Sequence, residues 1–147
     1  CFFITICSNP RGENQLAVPL RAAAILESVS LYHRAGTWWV HAFLLMPDHA
    51  HALICVAPDH ELALTVQSWK AWQTKALGVR WQSGFFDHRL RSEESHQEKA
   101  HYIRQNPVRA GLVAKTEDWP FTWTDSALET AGAPGGFALP PANDPSR

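Results

Sequence analysis

The stretch WWVHAFLLMPDHAHALICV, residues 38–56, decides the fold of this chain. It holds two apolar runs, Trp38–Met46 and His49–Val56, which are rich in aromatic and aliphatic residues. Pro47 and Asp48 separate the two runs, and such a pair is typical of a tight turn. The stretch therefore predicts two central strands joined as a hairpin.

The residues before the hairpin predict a strand and then a helix. Phe2–Cys7 is β-branched and aromatic, and the Ser, Asn, Pro and Gly residues after it indicate a loop. Pro19 suits a first helical turn. From Leu20 to about Arg34, apolar residues recur at the i, i+3, i+4, i+7 spacing of one buried helical face. That face consists of Ala22, Ile25, Leu26 and Val29.

The residues after the hairpin predict a second helix and a fourth strand. Glu61–Leu77 has apolar residues at helical spacing, and Gly78 is typical of a helix end. Arg80–Arg91 is expected to form a loop and then a strand.

A third helix is expected from Ser95 to Asn106. Ser95 and Glu98 match a capping box, in which each residue bonds to a free backbone N–H of the other. Pro107 is expected to stop this helix, because the residue before a proline disfavours helical geometry.

The order of these elements predicts an α+β sandwich, with helices packed on a mainly antiparallel sheet. A chain of 147 residues, 46% of them apolar, can bury one ordinary core. A single domain is therefore expected over residues 1–125. The sequence after Trp119 is rich in Ala, Gly and Pro, so residues 126–147 are expected to form a disordered tail.

The sequence also indicates the expected cellular location of the protein. No apolar run is long enough to span a bilayer, and no charged-then-apolar signal segment opens the sequence. We therefore expect a soluble, cytoplasmic protein without a membrane partner. Cys1, Cys7 and Cys55 are odd in number and lack CxxC spacing, so three reduced thiols are expected.

The charge of the chain is unevenly distributed. The formal net charge of −1 lacks the basic excess usual for nucleic-acid binding. However, residues 65–115 carry nine Lys and Arg against four Asp and Glu, a net charge of +5, whereas the flanking segments sum to −6. This asymmetry is compatible with a basic binding face, and equally with a solvated helical surface.

Two pairs of residues are candidates for chemistry. His49 and His51 are two residues apart on one strand, so their side chains project from the same face. Their backbones are roughly 7 Å apart, and the two imidazoles can share one metal ion. Tyr102 and Asn106 are four residues apart on the third helix and share one helical face. Each pair alone is a weak signal, since such histidines arise by chance and a helical tyrosine is usually a packing residue.

Together, the two pairs and their flanking residues resemble a known family. Phe43–Leu53 (FLLMPDHAHAL) resembles the histidine-hydrophobic-histidine motif of the HUH single-tyrosine transposases. Tyr102–Val113 (YIRQNPVRAGLV) resembles the tyrosine helix of their REP-associated branch, and Trp81–Arg91 (WQSGFFDHRLR) also matches. The resemblance extends from about Phe2 to Trp123. The middle residue of the histidine motif is the small Ala50, where larger apolar residues are usual, and it should face away from the metal side.

The resemblance implies a ferredoxin-like or RRM-like domain that cleaves and rejoins single-stranded DNA. It implies that Tyr102 is the nucleophile, that His49 and His51 bind Mg²⁺ or Mn²⁺, and that Asn106 is the third ligand. It further implies a 5′-phosphotyrosine intermediate, single-stranded and hairpin DNA as partners, and action as a monomer or a homodimer.

The basic residues of the middle segment are candidates for phosphate contacts, and some tryptophans for stacking on bases. For each there is an ordinary alternative, a solvated face for the charges and core packing for the rings. The tryptophans are Trp69, Trp72 and Trp81. The basic candidates are Lys70, Lys75, Arg80, Arg89, Arg91, Arg104 and Arg109.

Two other functions stay open from the sequence. The same fold can recognise hairpin DNA or RNA without cutting it. Alternatively, His49 and His51 can activate water in a metal-dependent phosphoesterase, in which case Tyr102 is not needed for cleavage.

Overall fold

The computed structural model of the chain describes residues 1–91 and 93–124. The tail predicted over residues 126–147 lies outside the described residues. The elements, in chain order, are β1 (Phe2–Cys7), α1 (Pro19–Arg34), β2 (Trp38–Leu45), β3 (His49–Val56), α2 (Leu62–Leu77), β4 (Phe86–Arg89), α3 (Glu93–Arg109) and a 3₁₀ turn (Thr116–Asp118).

The four strands form one antiparallel sheet in the order β2-β3-β1-β4. This is the strand order of a ferredoxin-like fold, so the predicted α+β class is confirmed. The hairpin of β2 and β3 is present, but the prediction that both of its strands are central was wrong for β2, which lies at the edge; the central strands are β3 and β1. None of the described helices is long and apolar enough to cross a membrane.

The helices cover both faces of the sheet. On one face, which we call the α1/α2 face, the larger core contains Ile25 and Val29 of α1, Trp69 of α2, and Ile4 and Phe43 of the sheet. The opposite face, the α3 face, carries a smaller core. Its buried members are Ala42, Leu44, Met46, Leu53, Leu90, Ala100 and Ile103.

A β-bulge in β2 determines which residues point to which face. Val40 pairs with Ile54 and Ala42 pairs with Leu53, so His41 is an extra residue without a partner in the ladder. Before the bulge, Val40 points to the α1/α2 face; after it, Ala42 points to the α3 face. The bulge therefore reverses the alternation of β2 and leaves His41 exposed on the sheet.

The predicted end of the third helix was wrong, because α3 continues through Pro107 to Arg109. A proline lacks the N–H that would bond to the carbonyl four residues earlier, here that of Ile103. The side chain of Asn106 supplies a substitute, since its Nδ2 donates to the Ile103 carbonyl at 3.4 Å and to the Tyr102 carbonyl at 3.2 Å. These two contacts offset the loss of one backbone hydrogen bond near the end of α3.

Two further expectations are settled by the packing. Trp69 is fully buried, and its Nε1 donates to Ser28 Oγ at 3.0 Å, so it is a core residue and cannot stack on a base.

Cys1 and Cys55 form a disulfide, whereas Cys7 is a free, buried thiol. The expectation of three reduced thiols was therefore wrong for the first two, which lie opposite each other at the ends of neighbouring strands.

Candidate metal and nucleophile site

The two histidines of β3 lie side by side on the α3 face. Their ring centroids are 4.7 Å apart and the ring planes are inclined at 81°. Ala50 between them is fully buried on the opposite, α1/α2 face, as expected from the alternation of a strand. Its small size therefore affects core packing and not the site.

Each of the two imidazoles has one nitrogen held by a neighbouring side chain. His49 Nδ1 lies 2.7 Å from a carboxylate oxygen of Asp48, and His51 Nδ1 lies 3.0 Å from Thr5 Oγ1. In proteins, a metal-ligating histidine commonly uses its second nitrogen in this way, which fixes the orientation and tautomer of the ring. The arrangement leaves Nε2 of both rings as the candidate ligand atoms.

Asp48 is itself held in the ionised form. Partial burial alone would raise its pKa, but hydrogen bonds from His49, from the backbone N–H of Gly12 and from Arg11 lower it well below the usual range. Arg11 Nε lies 2.9 Å from Asp48 Oδ2. The carboxylate is therefore available at neutral pH to accept the Nδ1 proton of His49.

His51 is neutral at physiological pH. Burial is the main cause, and together with the positive charges of His49 and Arg11 it lowers the pKa of His51 to about 4. Because a metal ion binds the neutral form of imidazole, this lowered pKa removes proton competition at His51. The donor set, the free Nε2 atoms and the spacing of the rings all fit a divalent cation.

Tyr102 lies across the same face, on α3. The ring of Phe3 contacts both partners, since it stacks on His51 at 5.8 Å and meets the edge of Tyr102 at 6.0 Å between centroids. Tyr102 is 39% exposed, so its hydroxyl is accessible to a substrate. The structure therefore brings the predicted nucleophile and the predicted metal ligands to one surface, separated by a single phenyl ring.

Two cations lie close to the Tyr102 ring. The guanidinium carbon of Arg109 is 4.4 Å from its centroid, and Lys99 Nζ is 5.7 Å from it. Positive charge beside a phenol stabilises negative charge on its oxygen and also attracts a phosphate. Lys99 lies three positions before Tyr102 and Arg109 seven positions after it, so all three residues share one helical face.

Asn106, the predicted third ligand, is turned towards its own helix. Its Nδ2 makes the two backbone contacts that support Pro107, and this leaves Oδ1 as the atom that a metal would use. The ligand role of Asn106 stays a prediction.

The seven basic candidates differ in their surroundings. Lys70 Nζ donates to the carbonyls of Gln82 and Gly84, and Arg80 forms a 2.8 Å ion pair with Glu13. Both side chains are therefore engaged in joining loops to the domain. Arg109 lies over Tyr102, and the remaining four residues, Lys75, Arg89, Arg91 and Arg104, are exposed.

A shallow cleft of about 210 Å³ lies beside the site. Thr5, the partner of His51, lines one side, and the segment 82–86 lines the other. Phe86 at its rim is 72% exposed, which is unusual for a large aromatic side chain. Because Thr5 also contacts His51, the cleft adjoins the histidine pair.

Several residues of the site were missed by sequence reasoning. Asp48 was assigned only to a turn, although a carboxylate next to a candidate ligand was a usable signal. Lys99 shares the helical face of Tyr102, and that spacing was also readable. Thr5, Phe3 and Arg11 are far from the motifs in the chain, and only the pairing of β1 with β3 brings Thr5 opposite His51.

A ferredoxin-like sheet with a histidine pair on a central strand, and a tyrosine across the same face, is the arrangement expected from the resemblance to the HUH single-tyrosine transposases. No family model matches the sequence. The chain is 29% identical over 124 residues to the REP-associated tyrosine transposase of Escherichia coli (strain K12), which covers 82% of this chain and 74% of that protein.

A solved structure shares the fold. It is described as a REP-associated tyrosine transposase bound to a REP hairpin, and it matches with a TM-score of 0.73 and 22% identity over 97% of this chain and 85% of that one. The sequence motifs, the sequence similarity and the shared fold thus all make the chain similar to the REP-associated tyrosine transposases.

Proposed function

We propose that this chain cleaves and rejoins single-stranded DNA next to a hairpin, with Tyr102 as the nucleophile. The observation that carries the proposal is that the Phe3 ring contacts both Tyr102 and His51, on one face of the sheet. Similarity to the REP-associated tyrosine transposases supports the reaction, and the hairpin bound to the solved structure of that name supports the substrate.

The reaction is a transfer of one phosphoryl linkage. The hydroxyl oxygen of Tyr102 forms a bond to the scissile phosphorus, its proton passes to solvent, and the bond from phosphorus to the 3′ oxygen breaks. The products are a 5′-phosphotyrosine and a 3′ hydroxyl, which takes up a proton. Because the new ester preserves the phosphodiester, a 3′ hydroxyl can attack it to rejoin DNA without a nucleotide cofactor.

We further propose that His49 and His51, with Asn106 as third ligand, hold Mg²⁺ or Mn²⁺. Bound there, a divalent ion would neutralise charge on the scissile phosphate. Imidazole suits Mn²⁺ better than the harder Mg²⁺. Asp48 and Thr5 orient the two rings, and Arg109 and Lys99 supply positive charge beside the tyrosine.

DNA is proposed to approach along the α3 face. Single-stranded nucleic acid is usually bound by cations that follow its backbone and by aromatic rings that stack on its bases. Exposed cations occur on α3 and β4, and Phe86 offers a free ring at the cleft. We propose phosphate contacts on this path for the exposed candidates Arg89, Arg91, Arg104 and Arg109. Lys75 lies on α2, on the opposite face, so it would contact DNA only outside this path, and Lys70 and Arg80 are engaged mainly within the protein.

The test is covalent capture of labelled DNA. Incubation with Mn²⁺ and single-stranded DNA that contains a hairpin should give a protein–DNA adduct that maps to Tyr102. Tyr102→Phe should abolish both adduct and cleavage. The chain has one other tyrosine, Tyr32, which is buried and bonded to Ser68 at 3.0 Å, so Tyr32→Phe is the matched control and should keep the adduct.

The other outcomes separate the alternatives. Cleavage that persists in Tyr102→Phe would indicate a metal-dependent phosphoesterase. Hairpin binding without cleavage or adduct by any variant would indicate a binding module.

We infer that one chain is sufficient for cleavage, because Phe3 contacts both His51 and Tyr102 of the same chain. Mixing inactive His49→Ala protein with inactive Tyr102→Phe protein should therefore not restore adduct formation. Restored activity would show that two chains exchange their tyrosine helices in a homodimer.

A further inference from the structure

A second cluster of metal-binding side chains lies on the α3 face, away from the first. The candidate ligand atoms of Cys1, His41 and Cys55 all lie within 4.8 Å of one another. Cys55 Sγ is 3.3 Å from His41 Nε2. Cys55 and His51 are four residues apart on β3, so roughly 13 Å of strand separates this cluster from the histidine pair. The cluster is a separate site.

His96 of α3 lies next to the cluster. Its ring stacks on His41 with 5.3 Å between centroids and 10° between planes. Its Nε2 is buried and has no hydrogen-bond partner among the described residues. A buried polar atom without a partner costs free energy, so it indicates an unmet ligand or ion. A disulfide between Cys1 and Cys55 does not by itself account for the imidazoles of His41 and His96 beside it.

The distances suit a tetrahedral zinc ion. With Zn–N bonds of about 2.0 Å, two imidazoles on one tetrahedral ion have centroids roughly 5 Å apart, and a nitrogen and a sulfur ligand are roughly 3.5 Å apart. The observed values are 5.3 Å for His41 and His96 and 3.3 Å for His41 and Cys55. A Cys₂His₂ set is a common structural zinc site, and thiolate ligands favour Zn²⁺ over Mg²⁺ or Mn²⁺.

The fold directs His41 into this cluster through the bulge of β2. The extra residue is not held by the ladder, and such positions often re-aim a side chain. On the neighbouring strands, the pairing of Phe2 with Ile54 leaves Cys1 and Cys55 next to each other just beyond it. Three segments that are distant in sequence thus place candidate ligands at one point, and α3 places His96 beside them.

We propose that Cys1, Cys55, His41 and His96 form a zinc site when the two cysteines are reduced. A thiol or phosphine reductant supplies two electrons, and solvent two protons, to convert the disulfide into two thiols, while the reductant becomes its own disulfide or a phosphine oxide. Binding of Zn²⁺ then displaces two protons, so the thiolates neutralise the ion. The site joins α3 to the sheet six residues before Tyr102, roughly 9 Å along the helix axis. It is a structural clamp on the tyrosine helix.

The test uses Co²⁺ as a spectroscopic substitute for Zn²⁺. The chain with Cys7→Ser is reduced by a phosphine, which becomes its oxide, and is then titrated with Co²⁺. In this background Cys1 and Cys55 are the only cysteines, so a thiolate-to-cobalt charge-transfer band reports the proposed site alone. Co²⁺ at His49 and His51 produces no such band. We expect one equivalent with the band and displacement by Zn²⁺.

Variants identify the ligands. Cys55→Ser and, separately, Cys1→Ser should abolish the band, and His96→Ala should weaken Zn²⁺ binding by about tenfold or more. His88→Ala is the matched control, because His88 is an exposed histidine of β4 outside the cluster, and it should change nothing. Circular dichroism checks that each variant is folded.

A second measurement tests the clamp. Zn²⁺ should slow amide hydrogen exchange in the turns of α3 around His96 in the reduced protein. Absence of the charge-transfer band in folded, reduced protein would overturn the proposal, as would a band that survives in both cysteine variants. In either case the cysteines serve only as a disulfide or as free thiols.

Discussion

Thr5 Oγ1 lies 3.0 Å from Nδ1 of His51, on the strand that pairs with β3. The hydroxyl fixes the ring so that Nε2 faces the site. Thr5→Val keeps the shape and removes the hydroxyl, so we expect Mn²⁺ binding to weaken by about 10- to 100-fold. Isothermal titration calorimetry measures the change. Thr5→Ser restores the hydroxyl and should bind almost normally; equal affinities for the two variants would contradict the role of this contact.

The lowered pKa of His51 predicts a pH dependence of stability in metal-free protein. The folded state holds His51 neutral with a pKa of about 4, whereas the unfolded chain has an ordinary value near 6.5. The contribution to stability is complete above pH 6.5 and is lost as the pH falls towards 4. The free energy of unfolding should decrease by about 3 kcal/mol across this window.

Urea unfolding of the chain in a chelator, repeated at several pH values, measures this decrease. His51→Gln carries no titrating group, so its curve should be flatter by that amount over the same window. Parallel curves for the two proteins would show that His51 is not the group responsible.

Asn106 is predicted to have two functions that substitution can separate. Asn106→Ala removes both the support of Pro107 and the ligand oxygen. Asn106→Asp removes the Nδ2 donor and keeps an oxygen ligand. Both should lower the free energy of unfolding by about 1 kcal/mol. Only Asn106→Ala should weaken Mn²⁺ binding, whereas the extra negative charge should preserve or tighten it in Asn106→Asp. Equal weakening in both would exclude Asn106 as a ligand.

Phe86 is predicted to stack on a base of single-stranded DNA. Phe86→Ala should weaken binding of an unpaired strand by about 1 to 3 kcal/mol, or roughly 5- to 150-fold in Kd. Fluorescence anisotropy at fixed salt is the measurement. Trp39, also exposed but at the opposite edge strand β2, provides the control, and Trp39→Ala should leave the affinity within about twofold. A larger loss in the control would place the DNA elsewhere.

The local parts of the fold could be predicted from the sequence. Strand β3 and the end of α2 at Gly78 follow from short-range patterns, and both lie where expected. The end of α3 was missed because the side chain of Asn106 replaces the bond that Pro107 cannot make, which propensity alone does not reveal. Likewise, an extra residue at position 41 changes the phase of β2 without any composition signal.

The site was predictable in part. The alternation of β3 placed His49 and His51 on one face, but only the resemblance connected them to Tyr102. The contacts that organise the site, such as Thr5 with His51 and Phe3 with Tyr102, join residues far apart in the chain. Pairing across a sheet depends on tertiary packing, so a single sequence does not specify it.

The extra residue at His41 has no partner in the ladder, so the two halves of the second strand each keep their own pairing with β3. A substitution at this position therefore leaves Phe43 and Leu45 in the larger core. Deletion of His41 would restore regular pleating and also leave both side chains in that core, because the partners of Val40 and Ala42 are already adjacent on β3. Loss of a paired residue would instead send the residues beyond it to the opposite face. The second strand is therefore tolerant of change at its bulge and sensitive to a change of length elsewhere.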